Sequence, residues 1–358
     1  MATRDVEVLE AGQRPAALHE RFLALRRERK LRHRDAAAAL GLTEGEAIAA
    51  AVGSASELRG VRLAGPWWRV LERVPEVGVA MALTRNESAV HEKTGCYRDL
   101  SHEGLVGLAL GPEIDLRIFY ARWAHGYAVT EDTPSGVLRS LQFYDAAGHA
   151  VHKVYARPAT NLAAWERLVE ACAHADQSAG ERVAPAEAPA AAKPDAEIDV
   201  DGFRADWLAL RDTHEFFPML RRHAVTRTQA LRLAPAGHAQ TVPNDVARRL
   251  LEAAARDCVS IMCFVGNRGT IQIHTGPIHR VEPRGPWLNV LDPGFNLHLR
   301  EDRVAHSWHV RKPTADGDVN SIELFDADGE TIAMFFGERK PGVPERGEWR
   351  ALLAGLLP

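Results

Sequence analysis

Two stretches of the chain, RNESAVHEKTG at 85–95 and GNRGTIQIHTG at 266–276, resemble each other. This similarity indicates that the fold is built from two copies of one unit. At a constant offset of 181 residues the copies share an asparagine, a threonine and a glycine: Asn86, Thr94 and Gly95 match Asn267, Thr275 and Gly276. The same offset aligns SLQFYDAAG with SIELFDADG. Identities recur along 81–155 well above the roughly one position in sixteen expected of unrelated sequence. The chain is therefore an internal duplication.

Helical segments flank the repeated core in both copies. FLALRRERK (22–30) resembles WLALRDTHE (207–215), and AWERLVEA (164–171) resembles EWRALLAG (348–355). Between the copies, VAPAEAPAAAKPDAE has the Ala, Pro and charge composition of a semi-stiff linker without a core. We therefore divide the chain into a first repeat (1–178), a linker (179–198) and a second repeat (199–358).

The middle of each copy is rich in β-branched and aromatic residues and is punctuated by Gly, Pro and Asp, which is typical of short strands. YDAAGHA and FDADGET have the composition of hairpin turns. No long helical stretch separates consecutive strands, so antiparallel pairing is favoured over βαβ crossovers. The sequence predicts an α+β fold of two similar halves, each with a large antiparallel sheet flanked by helices.

Bulk composition excludes several classes of protein. The chain has 358 residues and a net charge of −4, from 44 basic and 48 acidic residues, so we expect no general attraction to nucleic acid or anionic membrane. No apolar run approaches the roughly 18 residues of a membrane helix, and the first residues lack a secretory apolar region. The four cysteines form no C-x-x-C pair. We expect a cytoplasmic protein without membrane insertion.

The duplication also supplies an internal comparison. Residues common to both copies are expected to serve the fold, whereas residues present in one copy are candidates for a site. Four such differences place a histidine or a cation in one copy only: His214 opposite Arg29, Arg117 opposite His298, Lys312 opposite Glu131, and Arg339 opposite Pro158. Arg117 alternates with apolar neighbours in IDLRIF, which predicts that it shares a sheet face with Asp115.

The sequence allows two interpretations of His214. Trp207, Leu210, His214 and Phe217 follow at three- and four-residue steps, which predicts one face of a continuous helix and favours a hydrogen-bonded core histidine. Pro218 has no N–H for the carbonyl of His214, so we expect the helix to kink or end there and open the face around the imidazole. In the second interpretation, the imidazole of His214 therefore faces a ligand.

A helix-turn-helix is the alternative from another class. RDAAAALGLTEGEAIAAAVG has the appropriate pattern, and Thr43 with Glu46 forms a capping-box signature. The second helix carries Glu44, Glu46 and alanines, with no side chain suited to reading base edges. We interpret the segment as a solvated helical hairpin and expect no nucleic-acid partner. No nucleotide-binding or catalytic-triad pattern is present, and we expect no metal site built from side chains alone.

Eight segments, in chain order, then carry a resemblance: LTRNESAVHEKTG, EIDLRIF, RSLQFYDAAGHAVHKVY, DTHEFF, FVGNRGTIQIHTG, GPWLNVLDPGFNLHLRED, RKPTADGDVNSIELFDADG and FFGERKPG. Together they are similar to the bacterial cytoplasmic haemin-degrading and haemin-transport family. The resemblance covers nearly the whole chain apart from the N-terminal tail and the linker.

The resemblance implies a two-repeat α+β protein that binds one haem b in a cleft involving both halves. His214 of DTHEFF would be the axial ligand of the iron. Arg117 of IDLRIF would lie on the opposite side of the ring, where it could hydrogen-bond a water or an oxygen species. Glu215 follows the ligand here, so switching among adjacent histidines is not expected.

The resemblance also assigns the edge and walls of the haem site. Arg227, Lys312 and Arg339 would pair with the propionates, and Phe264 would line the pocket. Where the family has a tyrosine, this chain has Phe336, which lacks the hydroxyl that could bond a propionate. Haem needs such a set, because it is a flat apolar ring with two carboxylates and an iron that accepts imidazole.

Two functions remain open at this level. The first is a haem-degrading, oxygenase-like enzyme of iron acquisition that uses an external electron donor, with Arg117 and His214 as its catalytic residues. The second is a haem carrier or buffer that passes haem to a separate oxygenase without turnover. The expected partners are haem and either the cytoplasmic face of a haem importer or a haem-accepting protein, with the chain a monomer or a homodimer.

Overall fold

The computed structural model describes residues 14–188, 192–340 and 342–357, and the segment on which the expectation of no secretory signal rests lies outside them. In the described residues, no helix has both the length and the apolar character needed to cross a membrane. The helices, in chain order, are α1 (Arg14–Arg29), α2 (His33–Ala39), α3 (Glu44–Ala49), α4 (Trp67–Arg73), α5 (Leu162–Cys172), α6 (Val200–Leu208), α7 (Phe216–His223), α8 (Arg227–Leu233), α9 (Val246–Arg256) and α10 (Gly347–Leu356).

The strands of the first repeat are β1 (Leu58–Arg62), β2 (Gly78–Arg85), β3 (Ala89–Cys96), β4 (Leu100–Glu103), β5 (Val106–Leu110), β6 (Asp115–Phe119), β7 (His125–Thr133), β8 (Gly136–Tyr144) and β9 (Ala150–Thr160). Those of the second repeat are β10 (Ala239–Val242), β11 (Ile261–Gly266), β12 (Thr270–Gly276), β13 (Val281–Arg284), β14 (Trp287–Asp292), β15 (Phe295–Arg300), β16 (His306–Lys312), β17 (Val319–Phe325) and β18 (Thr331–Gly337). The predicted α+β architecture and the closing helices of both copies are confirmed.

The two repeats exchange strands. Over the described residues there are two nine-stranded antiparallel sheets, a first sheet of order β1-β7-β8-β9-β2-β3-β15-β14-β13 and a second sheet of order β10-β16-β17-β18-β11-β12-β6-β5-β4. Each repeat thus contributes six strands to its own sheet and three to the other. The joints are the antiparallel pairs β15 with β3 and β12 with β6.

The asparagines shared by the two copies tie the repeats together. Asn86 Oδ1 accepts the N–H groups of Ser88 and Ala89 in its own turn, while Nδ2 donates to the carbonyl of Ile332 at 2.8 Å. Asn267 repeats this arrangement, with its Nδ2 donating to the carbonyl of Arg85 at 2.9 Å. Each asparagine therefore shapes one turn and binds the opposite half.

The core lies between the sheets. One apolar cluster joins Leu297 of the first sheet to Cys263 of the second, and another joins Val154 of the first to Leu116 of the second. Helices cover other apolar surfaces: α9 buries Val246 and further residues at helical spacing along the same stripe. The sheets are thus packed face to face, and their remaining faces are available for helices and for a site.

Two local predictions are wrong. The chain is not one helix from Trp207 to Phe217, because α6 ends at Leu208 and a 3₁₀ turn over Thr213–Glu215 precedes α7. The helical hairpin of α2 and α3 exists, with the predicted capping box, but it is not solvated. Glu44 is buried and binds Lys153, so α3 is a packed element.

Candidate functional site

His214 lies in the 3₁₀ turn, outside the helical stripe that the sequence suggested. Its side chain is 80% exposed, so the reading as a core histidine is wrong. Asp212 caps the turn, and its Oδ1 accepts a hydrogen bond from Nδ1 of His214 at 2.6 Å. Among residues 14–188, 192–340 and 342–357, Nε2 of His214 has no hydrogen-bond partner and is available to a ligand.

Pro218 acts differently from the prediction that it kinks or ends the helix. It is the third residue of α7, where the first-turn N–H groups have no partner within the helix, so the ring costs the helix no hydrogen bond. The turn of His214 is therefore separate from α7. Phe216 is buried in the core, whereas Phe217 is 64% exposed beside the histidine turn.

One face of the second sheet supplies an apolar surface. Strand pairing places Phe264 beside Met334 on one side and Ile273 on the other. Ile271 in turn pairs with Arg117, whose side chain forms an ion pair with Asp115 on the same face. We call the surface formed by Phe264, Ile271, Ile273, Met334 and Phe336 the open face. All five residues belong to the second repeat, whereas the adjacent Arg117 lies on a strand of the first repeat. The predicted common face of Arg117 and Asp115 is confirmed.

A buried carboxylate organises the cations at one end of the open face. Glu323 is fully buried and accepts hydrogen bonds from Arg227 at 2.7 Å and Lys312 at 2.7 Å. Burial alone would raise the pKa of Glu323, but the two cations hold that pKa well below its usual range. One carboxylate thus faces two positive groups, which leaves the end of the face positively charged.

Lys312 is buried beside Glu323. Burial lowers the pKa of its ammonium group to about 8, although Glu323 opposes this shift. Nζ lies 4.5 Å from the ring centre of Phe216 and 5.8 Å from that of Phe336. Phe336 in turn packs edge-on against Phe264, with ring centres 5.1 Å apart. The cation and the aromatic wall therefore form one packed unit.

Arg339 links this region to the histidine turn. Its Nη1 donates to Oγ1 of Thr213 at 3.4 Å, while its Nε is buried and has no partner among the described residues. Buried polar groups are usually satisfied, so an unpartnered guanidinium nitrogen suits an anionic group. The structure thus brings His214, Arg227, Phe264, Lys312, Phe336 and Arg339 around one region, with Arg117 further along the open face.

The corresponding region of the first repeat has the opposite charge pattern. α3 and α8 both begin after a capping box, so Glu44 is equivalent to Arg227. Glu44 binds Lys153 at 2.6 Å, and Glu131, the counterpart of Lys312, binds Arg26 at 2.7 Å. Carboxylates therefore stand where the second repeat has cations. In the part of the chain that the structure describes, this region of the second repeat therefore suits a ligand with carboxylates better than its counterpart in the first repeat.

A cleft of about 1490 Å³ adjoins the open face and is lined by residues of both repeats. Phe217, Arg227, Phe264 and Ile271 line one wall, and α2, α3 and the linker line the other. Of the predicted site residues, Arg227 and Phe264 line this cleft, whereas His214, Arg117, Lys312, Phe336 and Arg339 are not among its lining residues.

Sequence reasoning missed two residues of this site. Glu323 stands opposite Gln142, so the comparison of the copies that selected Lys312 contained the signal for it. Asp212 and Glu215 have the D-x-x-E spacing of a capping box, which the assumption of a continuous helix concealed.

Comparisons with known proteins agree with this architecture. The family model described as the haemin-degrading HemS.ChuX domain matches residues 41–172 and 224–356. The hemin transport protein HmuS of Yersinia pestis is 39% identical over 347 residues, covering 96% of this chain and 98% of the relative. The hemin transport protein HemS of Yersinia enterocolitica is 39% identical over 343 residues, with 95% and 97% covered.

Solved structures share the whole fold. Holo-PhuS, a heme-binding protein from Pseudomonas aeruginosa, superposes with a TM-score of 0.92 at 47% identity, covering 96% of this chain and 99% of that one. ChuS, an E. coli heme oxygenase, superposes with a TM-score of 0.85 at 36% identity, with 95% and 99% covered. With the family model matched in both repeats and relatives aligned over nearly their full length, this chain belongs to the HemS/ChuX haemin-degrading family.

Proposed function

We propose that this chain binds one haem b on the open face, with His214 as the axial ligand of the iron, and that it degrades the haem oxidatively to release iron. The observation that carries the proposal is the exposed imidazole of His214, whose turn contacts Arg339 through Thr213. The cations Arg227 and Lys312 lie at one end of the apolar open face. The composition of the site fits the ligand, since haem presents an apolar ring, two carboxylates and an iron.

Each residue of the site would contact the part of the haem that suits its chemistry. His214 would bind the iron through Nε2, and Arg227, Lys312 and Arg339 would pair with the propionates. Phe264 and Phe336 would line the ring. Arg117, on a strand that the first repeat contributes, would supply hydrogen-bond donors on the other side of the haem. Haem itself supplies the redox chemistry, and an external electron donor is required for turnover.

The descriptions of the relatives support two functions, haem degradation and haem transport. ChuS is described as a heme oxygenase, whereas HmuS and HemS are described as hemin transport proteins. The second candidate is therefore a cytoplasmic carrier that takes haem near an importer and delivers it to a separate oxygenase, as a monomer or homodimer. Both functions require the same haem site, so binding is tested before turnover.

Absorbance titration of the haem-free protein tests the ligand. His214→Ala should lose the native coordination and bind haem more weakly, while Arg29→Ala, at the equivalent position of the first repeat, should behave like the wild type. An unchanged Soret band and affinity in His214→Ala would refute the assignment.

A turnover assay distinguishes the haem-degrading enzyme from the haem carrier. Anaerobically prepared holo-protein is mixed with a reductant and oxygen in the presence of catalase, and the products are identified. Release of iron with an open tetrapyrrole supports the enzyme, and a porphyrin that persists intact supports the carrier.

A further inference from the structure

The carboxylate of Asp212 is bound to the same imidazole that the proposed function assigns to the iron. We propose that Asp212 is a positioning residue for this axial ligand, which fixes the tautomer and orientation of the His214 ring and strengthens it as a donor to iron. The inference rests on the proposed function and goes beyond it, because it assigns a tuning role to a residue that acts through the histidine.

Hydrogen-bond geometry defines the tautomer. Oδ1 of Asp212 lies 2.6 Å from Nδ1 of His214 and also accepts the backbone N–H of His214 at 2.8 Å. An ionised carboxylate can only accept hydrogen bonds, so Nδ1 must carry the proton. The lone pair of the neutral ring is then on Nε2, the nitrogen that is available to iron.

The same carboxylate is what holds the ring in place. Packing cannot fix the imidazole, since the side chain is 80% exposed. Glu215 closes the other half of the capping box, because its Oε2 accepts the N–H groups of Arg211 at 2.9 Å and Asp212 at 3.2 Å. Asp212 is therefore itself fixed by the turn, and it transmits that rigidity to His214.

General metal-site chemistry gives this contact a consequence. A histidine that binds a metal usually donates its other ring N–H to a carboxylate or carbonyl, which raises the basicity of the ligand. Loss of such a partner typically weakens metal affinity or activity by about 10- to 100-fold. A more basic imidazole also favours the ferric state, so Asp212 should lower the reduction potential of the bound haem.

A matched control exists in the same region. Oδ2 of Asp206 lies 2.9 Å from Nε2 of His223, at the end of α7. This pair has the same chemistry, but neither residue belongs to the proposed haem site. Asp206→Asn therefore tests the loss of a carboxylate–histidine bond without touching the axial ligand.

Asp212→Asn is the decisive variant. Asparagine is as good a helix cap as aspartate, so the backbone bond to His214 can be kept while the negative charge is lost. Resonance Raman spectra of the ferrous haem complex should show a lower iron–histidine stretching frequency. Redox titration should show a higher reduction potential, and the affinity for ferric haem should fall about 10- to 100-fold. Asp206→Asn should leave all three unchanged.

Two outcomes separate this inference from the proposed function. If Asp212→Asn keeps the wild-type frequency and potential while His214→Ala loses the axial ligand, the role of Asp212 is refuted and the function stands. If His214→Ala keeps its coordination, the proposed function fails first. Thermal unfolding of each variant identifies any loss of the turn, and Asp212→Glu, which restores the charge, should recover part of the frequency.

Discussion

Lys93 and His274 occupy equivalent positions in the two repeats, and their side chains meet in the core, with Nζ of Lys93 3.2 Å from Nδ1 of His274. Both side chains are buried, and His274 stacks on Phe295 with ring centres 3.8 Å apart. Nearby His91 is fully buried with no partner for either ring nitrogen among the described residues. The centre of the sheet-to-sheet interface is therefore polar, and it is sensitive to protons.

Acid should destabilise the fold through these histidines. Burial holds the pKa of His91 well below its usual value and lowers the pKa of His274 to about 3, so the folded state keeps both rings neutral. The unfolded chain protonates them below about pH 6.5, so stability is complete above that pH and is lost as pH falls. Between pH 7 and pH 5, the free energy of unfolding of His91→Phe should fall by about 2 kcal/mol less than that of the wild type, as measured by urea unfolding.

Replacing His279, which is exposed, by Phe serves as the control and should keep the wild-type pH dependence. An identical acid loss in His91→Phe would exclude His91 as a source of the effect.

Haem affinity should depend on Lys312 at alkaline pH. The pKa of Lys312 is about 8, so the haem-free site loses this cation as pH rises through that value. If the charge pairs with a propionate, affinity should fall by up to tenfold per pH unit above pH 8. Lys312→Arg keeps its charge and should remove the dependence over pH 7 to 10. Parallel titration curves for the two proteins would argue against propionate pairing.

Glu323→Gln should be strongly destabilising. The substitution leaves Arg227 and Lys312 without their shared carboxylate, and breaking a buried ion pair costs about 3–5 kcal/mol. Glu282 provides a surface control, because it also binds two arginines, Arg280 and Arg284, but its side chain remains 30% exposed, whereas that of Glu323 is fully buried. Glu282→Gln should change the free energy of unfolding far less, because solvent screens an ion pair at the surface. Equal effects of the two changes would contradict an organising role for Glu323.

Phe336→Tyr should strengthen haem binding. The ring lies near Lys312 and packs on Phe264, so a hydroxyl would be added at the cation end of the open face. One hydrogen bond contributes about 0.5–1.5 kcal/mol, which corresponds to a roughly two- to tenfold lower dissociation constant. Tyr155 occupies the equivalent position in the first repeat, so Tyr155→Phe should leave haem affinity unchanged. A weaker complex in Phe336→Tyr would show that the position has no room for the hydroxyl.

Arg117→Ala should leave haem bound but change its other axial position. The guanidinium lies on the open face and is held by Asp115, so its loss removes hydrogen-bond donors without removing the His214 ligand. We expect an altered visible spectrum of the ferric complex and turnover slowed by roughly 100-fold or more. His298→Ala, at the equivalent position, is the control. Identical spectra and rates for Arg117→Ala and the wild type would exclude Arg117 from the site.

Sequence reasoning reached the architecture because the duplication is visible in local patterns. The turns around Asn86 and Asn267 are built from neighbouring residues, so their motifs persist in both copies. Comparison of the copies also selected Lys312 and Arg339, whose charges have no counterpart in the first repeat. These features are local or comparative, and a single sequence contains both kinds of information.

What the sequence did not reveal depends on contacts between distant residues. A capping interaction of Asp212 interrupts the apolar spacing around His214, so periodicity predicted the wrong helix. Nothing local distinguishes a strand that pairs within its repeat from one that pairs across, as β6 does with β12. Pairing partners are chosen by the assembled core, which a pattern of alternating residues does not specify.

The reciprocal exchange of β4–β6 and β13–β15 has an evolutionary consequence. Two separate chains of one repeat each could complete their sheets by trading these strands, as domain-swapped homodimers do. Such an ancestor would carry two identical sites, and every substitution would change both. In a single polypeptide each copy can change without the other, so the second repeat can carry a histidine and cations at positions where the first has other residues.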